Sequence, residues 1–282
     1  MVKLLKFILP PVIYSLLVKM YHYFKKRESD GLYQPAWHTI KSGNLKGRHI
    51  FIDPRDGHWQ KEIIDGTCDN FLFTYLAKYD LNNKVIFEIG AHIGYHAMNF
   101  AKLVGDSGLV YAFEPNSFNR ERFKLILSEN TDLEKRISIS DVAISDRVGE
   151  IDFNFSPNID DGRSSGSFIF GAHTPSPKEM YEKVGFRKVT TKTIPLDQFL
   201  SSLRINVIPY LLKIDVEGAE NLVLQGGGNM IKKHKPIVLM EIHSIFNMLK
   251  TCEYFAAIDY SIELLKEESD GRCFIAAKST PR

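Results

Sequence analysis

Two short runs carry the side chains best suited to proton transfer: Asp215 and Glu217 in KIDVEGAE, and Glu241 and His243 in LMEIH. In each run the acids follow apolar residues, the pattern of a buried strand that delivers polar groups at its carboxyl end. Residues two apart on a strand point to one face, so Glu241 and His243 share a side. An imidazole with an ordinary pKa of about 6.5 is suited to general-base work near neutrality, which singles out His243. If the two strands are neighbours, about 4.8 Å apart, Asp215 and Glu241 could instead share Mg²⁺ or another divalent cation. In a third assignment, Asp215 and Glu217 hydrogen-bond the backbone around VEGAE. The residue types leave all three open. His22, His38, His58, His173 and His234 show no metal-ligand spacing.

A second constellation lies upstream, in VIFEIGAHIGYHAMNF, residues 85–100. Glu88 stands at the end of an apolar strand, Gly90, Ala91, His92 and Gly94 form a turn, and a helix is expected from about Tyr95. In open parallel sheets such a turn is the usual ligand cradle. A dinucleotide fingerprint, G-x-G-x-x-G, needs glycine where His92 stands, because the backbone must approach a pyrophosphate. The turn therefore disfavours NAD and FAD and suits an adenosine ligand without phosphates. Glu114 closes the next apolar run, VYAFEP, where a carboxylate can accept hydrogen bonds from both ribose hydroxyls.

These groups need strands to hold them. Strand-like runs occur at KVIFEIG, GLVYAFEP, ISISDVAIS, YLLKIDVEG, PIVLMEIH and RCFIAAK, with helical patterns such as His96 to Leu103 and Ser117 to Ser128 between the early ones. The alternation predicts an α/β fold with a parallel, doubly wound sheet. GEIDFNF and KVTTKTI are expected to pair as an inserted hairpin around the Gly/Ser-rich SPNIDDGRSSGSF.

The whole chain narrows the function further. Its 282 residues, 44% hydrophobic and 25% charged, suffice for one large domain with insertions. Lys plus Arg total 36 against 34 for Asp plus Glu, a formal charge of +2 that makes no electrostatic case for nucleic acid. Cys68, Cys252 and Cys273 are scattered and odd in number, which fits a reducing, cytoplasmic setting. Residues 1–30 differ from the rest. The uncharged stretch from Phe7 to Val18 is too short to span a bilayer and is broken by Pro10 and Pro11, while Lys3, Lys6, Lys19, Lys25, Lys26 and Arg27 flank it. Peripheral attachment to an anionic membrane surface and packing on the protein body are both compatible with it.

FEIGAHIGYHAMNFA, VYAFEPN, DVAISDRVGEIDF, TIPLDQFL, LLKIDVEGAENLVLQGG and IVLMEIH, in this order, resemble the FkbM family of methyltransferases within the class I S-adenosylmethionine-dependent fold. The resemblance implies a Rossmann-like, doubly wound, mostly parallel seven-stranded sheet over residues 84–282, with the hairpin inserted. Residues 31–83 then form an N-terminal cap, and residues 1–30 an extension. It implies S-adenosylmethionine as cofactor, with Glu88, Gly90, Ala91, His92 and Gly94 at the methionine end, Glu114 followed by Pro115 and Asn116 at the ribose, and Asp141, Val142 and Ala143 against the adenine. The family usually has Asp where Glu88 stands and Asn where His92 stands. The implied reaction is methylation of a sugar or glycan hydroxyl, with bacterial surface polysaccharide or glycolipid synthesis as the expected setting. His243, Asp215 and Glu241 are the catalytic candidates. Trp37, Trp59, Asp65, Thr67 and Asn70, and the loop DDGRSSGSF, are candidates to cover the acceptor. The other function classes are an NAD-dependent oxidoreductase and a non-catalytic S-adenosylmethionine-binding protein.

Overall fold

The computed structural model describes residues 34–55, 57–155, 168–169, 187–203, 207–269 and 271–280. The anchor-like segment 1–30 and most of the loop DDGRSSGSF lie outside the described residues. The chain opens with β1 (Ala36–Thr39), β2 (His49–Ile52), α1 (His58–Asp65) and α2 (Asn70–Leu76). There follow β3 (Val85–Ile89), α3 (Tyr95–Leu103), β4 (Leu109–Phe113), α4 (Ser117–Ser128), α5 (Thr131–Glu134) and β5 (Ile137–Ser140). Next come β6 (Ala143–Ile144), β7 (Gly149–Phe155), β8 (Phe168–Ile169), β9 (Arg187–Ile194) and α6 (Leu196–Ser202). The last part holds β10 (Pro209–Ile214), α7 (Glu220–Gly226), α8 (Gly228–His234), β11 (Ile237–Ile242), α9 (Ile245–Ala256), β12 (Tyr260–Glu267) and β13 (Cys273–Ser279).

The main sheet has seven strands in the order β12-β13-β11-β10-β3-β4-β5. Neighbours from β11 to β5 are parallel, and β13 runs antiparallel to both β11 and β12. This is the mostly parallel, seven-stranded α/β architecture expected. Its central strands read as unbroken apolar runs because both faces are covered: β11 is buried at every position. Ile86, Val110 and Leu211 belong to one apolar layer, and Phe87, Leu212 and Val238 to the other. β12 was absent from the six runs because its sequence, YSIELLKE, belongs to a partly exposed edge strand.

The run ISISDVAIS is not one strand. Residues 137–140 pair with β4, whereas Ala143 and Ile144 pair with β9 in a separate four-stranded sheet, β6-β9-β7-β8. The break falls at exposed Asp141, where the chain leaves the edge of the main sheet. GEIDFNF and KVTTKTI do pair antiparallel, from Gly149 opposite Thr193 to Phe155 opposite Arg187.

Close backbone packing shapes the turn after β3. Gly90 has φ +86°, and a Cβ there would sit 1.7 Å from the Asp215 carbonyl oxygen. Gly94, at φ +85°, faces the Phe123 ring of α4 at 2.0 Å from the same imagined atom. Only glycine lets the turn lie between β10 and α4. His92 is also left-handed, at φ 50°, a conformation in which His and Asn are over-represented among non-glycine residues.

Candidate active site

A cavity of about 650 Å³ opens at the carboxyl ends of β3, β4, β10 and β11, where ligands bind in open α/β sheets. Its walls include Gly90, Ala91, His92, Glu114, Pro115, Val142 and Ala143 on one side, and Lys213, Asp215, Glu217, Glu241 and Arg272 on the other. Helix α1 supplies Trp59, and the turn that leads into α2 supplies Cys68 and Asp69. Of the residues expected at the site, Gly94, Asn116, Asp141, Glu88 and His243 are not in the lining. Gly94 and Asn116 support the turns, and Asn116 caps α4 by accepting a hydrogen bond from the Phe118 amide at 3.0 Å. Asp141 is exposed, one residue beyond the end of β5 and next to Val142, which does line the cavity.

On the β3–β4 side, Glu114 ties two turns together. One carboxyl oxygen accepts from the His92 amide at 2.7 Å and the other from the Asn116 amide at 2.8 Å. Burial raises its pKa to about 7, against the lowering effect of those amides. His92 lies against Trp59, ring centroids 5.4 Å apart, and burial pushes its pKa down to about 4. Its imidazole is therefore neutral at physiological pH. Glu88 is fully buried behind the turn, and neither carboxyl oxygen makes a hydrogen bond among the described residues. Burial raises its pKa to about 8, with Lys213 opposing and Asp215 and Glu114 adding to the rise.

On the β10–β11 side the expected acids do come together. One oxygen each of Asp215 and Glu241 and a ring nitrogen of His243 lie within 4.8 Å of one another. Register explains it: Met240 pairs with Ile214, which brings the following residues, Glu241 and Asp215, side by side. The His243 side chain is 2% exposed, behind the acids and not on the cavity wall. Its Nδ1 is 2.6 Å from Glu220 Oε1, and its Nε2 is 3.4 Å from Glu217, 3.6 Å from Glu241 and 3.8 Å from Asp215. Burial favours the neutral ring, but the Glu220 hydrogen bond and the charges of Asp215 and Glu217 outweigh it and raise the pKa to about 9. At neutral pH His243 is thus a cation, not the free general base that its ordinary pKa had indicated.

Protein cations sit on the acids. Lys213 Nζ is 3.0 Å from Asp215 Oδ2, and Arg272 donates to Glu241 Oε1 at 2.7 Å. Burial raises the Asp215 pKa and Lys213 and His243 lower it, to a net value of about 2. Glu241 is raised to about 8, by burial first and Asp215 next.

The model of the methyltransferase FkbM domain matches residues 88–267, more than half of the chain. The chain belongs to the FkbM methyltransferase family. Among its relatives, the 2-O-methyltransferase NoeI of Sinorhizobium fredii is 32% identical over 152 residues, which are 53% of this chain and 59% of NoeI. The hexuronic acid methyltransferase AglP of Haloferax volcanii is 28% identical over 83% of this chain and 90% of AglP. The crystal structure of methyltransferase FkbM from Methylobacillus flagellatus aligns at a TM-score of 0.49 and 19% identity, covering 70% of this chain and 44% of that one.

The cofactor of this FkbM chain's class is S-adenosylmethionine, and the residues present fit it. Glu114 stands on the cavity wall beside Gly90 and Ala91, and directly behind that wall the two Glu88 oxygens make no hydrogen bond among the described residues, acceptors that an ammonium would use where the turn admits it. Several groups around the FkbM cavity went unnoticed in the sequence. Lys213 had a signal, a lysine inside the apolar strand YLLKI; Glu220 had a weaker one, as the second acid of VEGAE. Asp69 and His96, whose Oδ2 and Nε2 are 3.1 Å apart on the cavity wall, had none, because they come from different elements. Trp59 lines the cavity as expected of the covering segment, whereas Trp37 packs on Phe51 and Asp65 pairs with Lys41, both away from it.

Proposed function

We propose that this chain is an S-adenosylmethionine-dependent O-methyltransferase acting on a sugar or glycan hydroxyl, in the synthesis of bacterial surface polysaccharide or glycolipid. The observation that carries it is the position of the Asp215 and Glu241 carboxylates in the wall facing the Gly90–Gly94 turn. The names of the two relatives, a 2-O-methyltransferase and a hexuronic acid methyltransferase, support transfer to oxygen and a sugar-type acceptor.

The bound cofactor supplies a methyl group on a positively charged sulfur. In this reading Glu88 accepts from the methionine ammonium, Glu114 from the ribose hydroxyls, and Val142 and Ala143 flank the adenine. The acceptor hydroxyl lies against Glu241, which removes its proton as oxygen takes the methyl. Glu241 does this in its ionised form, which gains as pH rises towards its pKa of about 8, and it reaches the cavity where His243 does not. Positioning supplies the rest, for which effective molarities of about 10⁵ to 10⁸ M are known.

A divalent cation fits this cluster poorly. Asp215 already has Lys213, Glu241 has Arg272, and His243 adds a third positive charge beside both. A metal would have to displace or repel these cations, so we assign the charge balance to them. Trp59 offers an aromatic face to the acceptor, making residues 31–83 the cap over it. Residues 1–30 would hold the enzyme at the cytoplasmic face of a membrane, near lipid-linked acceptors. No helix among the described residues is long and apolar enough to cross one.

The test is transfer of an isotope-labelled methyl group from S-adenosylmethionine to a panel of hexoses, amino sugars, hexuronates and lipid-linked glycans, with product linkage read by NMR. Cofactor binding without transfer to any member would favour the non-catalytic alternative.

A further inference from the structure

Glu220 is the first residue of α7 and is completely buried. An acid in such a place needs donors on both oxygens, and here each has one or more. Oε1 accepts from the Gly218 amide at 2.8 Å and faces His243 Nδ1 at 2.6 Å, while Oε2 accepts from Asn247 Nδ2. Asn247, 2% exposed, is fixed in turn: its Nδ2 also donates to the Gly218 carbonyl at 2.9 Å, and its Oδ1 accepts from Asn221 Nδ2 at 2.9 Å. Ser244 caps α9 by accepting from the Asn247 amide at 3.1 Å, which holds that residue's backbone in place.

The arrangement has one direction. A carboxylate only accepts, so the proton between Glu220 and His243 belongs to Nδ1. The ring is then held with Nε2 turned to Asp215, Glu217 and Glu241. Lys213 and Arg272 are the cations on the far side of those acids. None of the Glu220 contacts reaches the cavity, so the network contributes nothing to ligand binding directly.

We propose that Glu220 is a positioning residue for methyl transfer: through its hydrogen bond to Nδ1 it fixes the orientation of the His243 ring, which then presents its second N–H, at Nε2, to the cavity carboxylates. The assignment rests on the O-methyltransferase reading. In it, the hydroxyl proton passes to Glu241 as the new C–O bond forms and the sulfur–methyl bond breaks, its electron pair returning to sulfur. The charge of the His243 ring, with Nε2 3.6 Å from Glu241 and 3.4 Å from Glu217, holds the carboxylates beside it. An acid behind an imidazole orients it in the same way in hydrolytic triads, where replacing that acid with its amide costs turnover.

The test begins with the wild-type chain labelled with ¹⁵N-histidine. A downfield, slowly exchanging imidazole proton bonded to Nδ1 is expected, assigned by its loss in His243→Gln. Absence of a protonated Nδ1 at neutral pH would overturn the proposal without any activity measurement. Glu220→Gln puts an amide NH₂ opposite Asn247 Nδ2, so the signal should shift or vanish. kcat should fall by about tenfold or more, with KM for the cofactor near wild type, and Glu220→Asp should recover part of the loss. An unchanged His243 spectrum and unchanged kcat in folded Glu220→Gln would defeat the proposal. If Glu220→Gln does not fold, the same two readouts on Asn221→Ala, which loosens Asn247 from outside, decide in its place. A wild type that binds cofactor but transfers no methyl group would instead defeat the functional reading, leaving the His243 spectrum to be judged alone.

Discussion

Lys213 and Glu88 stand opposite each other in register on adjacent parallel strands, both buried, with the lysine ammonium turned on to Asp215. One cation thus serves two acids from two strands. Asp215 gains the hydrogen bond and ionises; Glu88 does not, and burial keeps it protonated to about pH 8.

Glu88 should therefore lose its proton when a cofactor ammonium arrives. Calorimetry near pH 7 in two buffers of different ionisation enthalpy should show release of about one proton on binding S-adenosylmethionine, and none for Glu88→Gln. The same shift bears on stability. Between about pH 4.5 and 8 the unfolded chain ionises Glu88 while the folded apo-protein keeps it neutral, so this group makes stability fall as pH rises across that window. His243, raised to about 9, contributes stability that is full below its ordinary value of about 6.5 and is lost as pH rises through 9. Urea unfolding of the apo-protein should accordingly give a lower midpoint at pH 9 than at pH 6. A higher one would mean that these two groups do not govern the profile.

Glu114→Ala should weaken cofactor binding by about 1.5–3 kcal/mol, the range for a hydrogen bond to a charged group. Part of that loss comes from the His92 amide, which would be left without its acceptor. Titration of the folded variant with S-adenosylhomocysteine checks it, and unchanged affinity would remove Glu114 from the ribose.

Glu241→Gln should lower kcat by roughly 10²-fold or more while leaving cofactor affinity unaltered, because it removes the proton acceptor on the far wall. Activity of the wild type should survive chelation, since Lys213, His243 and Arg272 already balance the acids. Loss of activity in chelator and its recovery with Mg²⁺ would replace that assignment with a metal at Asp215 and Glu241.

Gly90→Ala should unfold the site or lower stability by about 2–4 kcal/mol or more, for a clash with backbone at a left-handed φ has no flexible partner to move. Chemical denaturation with and without cofactor measures it.

Residues 1–30 should bring the chain to anionic vesicles in a salt-sensitive way. Flotation of the full chain against a version beginning at Asp30 is the comparison, and equal behaviour would assign the segment to packing.

Much of this was written locally. Apolar runs and their periodicity determine the parallel strands, because a strand buried on both faces must be apolar throughout. Polar residues such as Glu88, Glu114, Asp215 and Glu241 mark where those runs end, and strand ends are where a parallel sheet opens. His92, standing where a dinucleotide fingerprint needs glycine, was enough to disfavour a dinucleotide. What local pattern could not decide was protonation and reach, which depend on neighbours far along the chain. His243 looked like a free base until Glu220, Glu217 and Asp215 surrounded it. Glu241 became the better proton acceptor once burial had raised it and register had put it on the wall. Residue types and periodicity determine which groups arrive at one end of a sheet; only the tertiary structure sets their distances and burial, and electrostatic energies follow those two quantities.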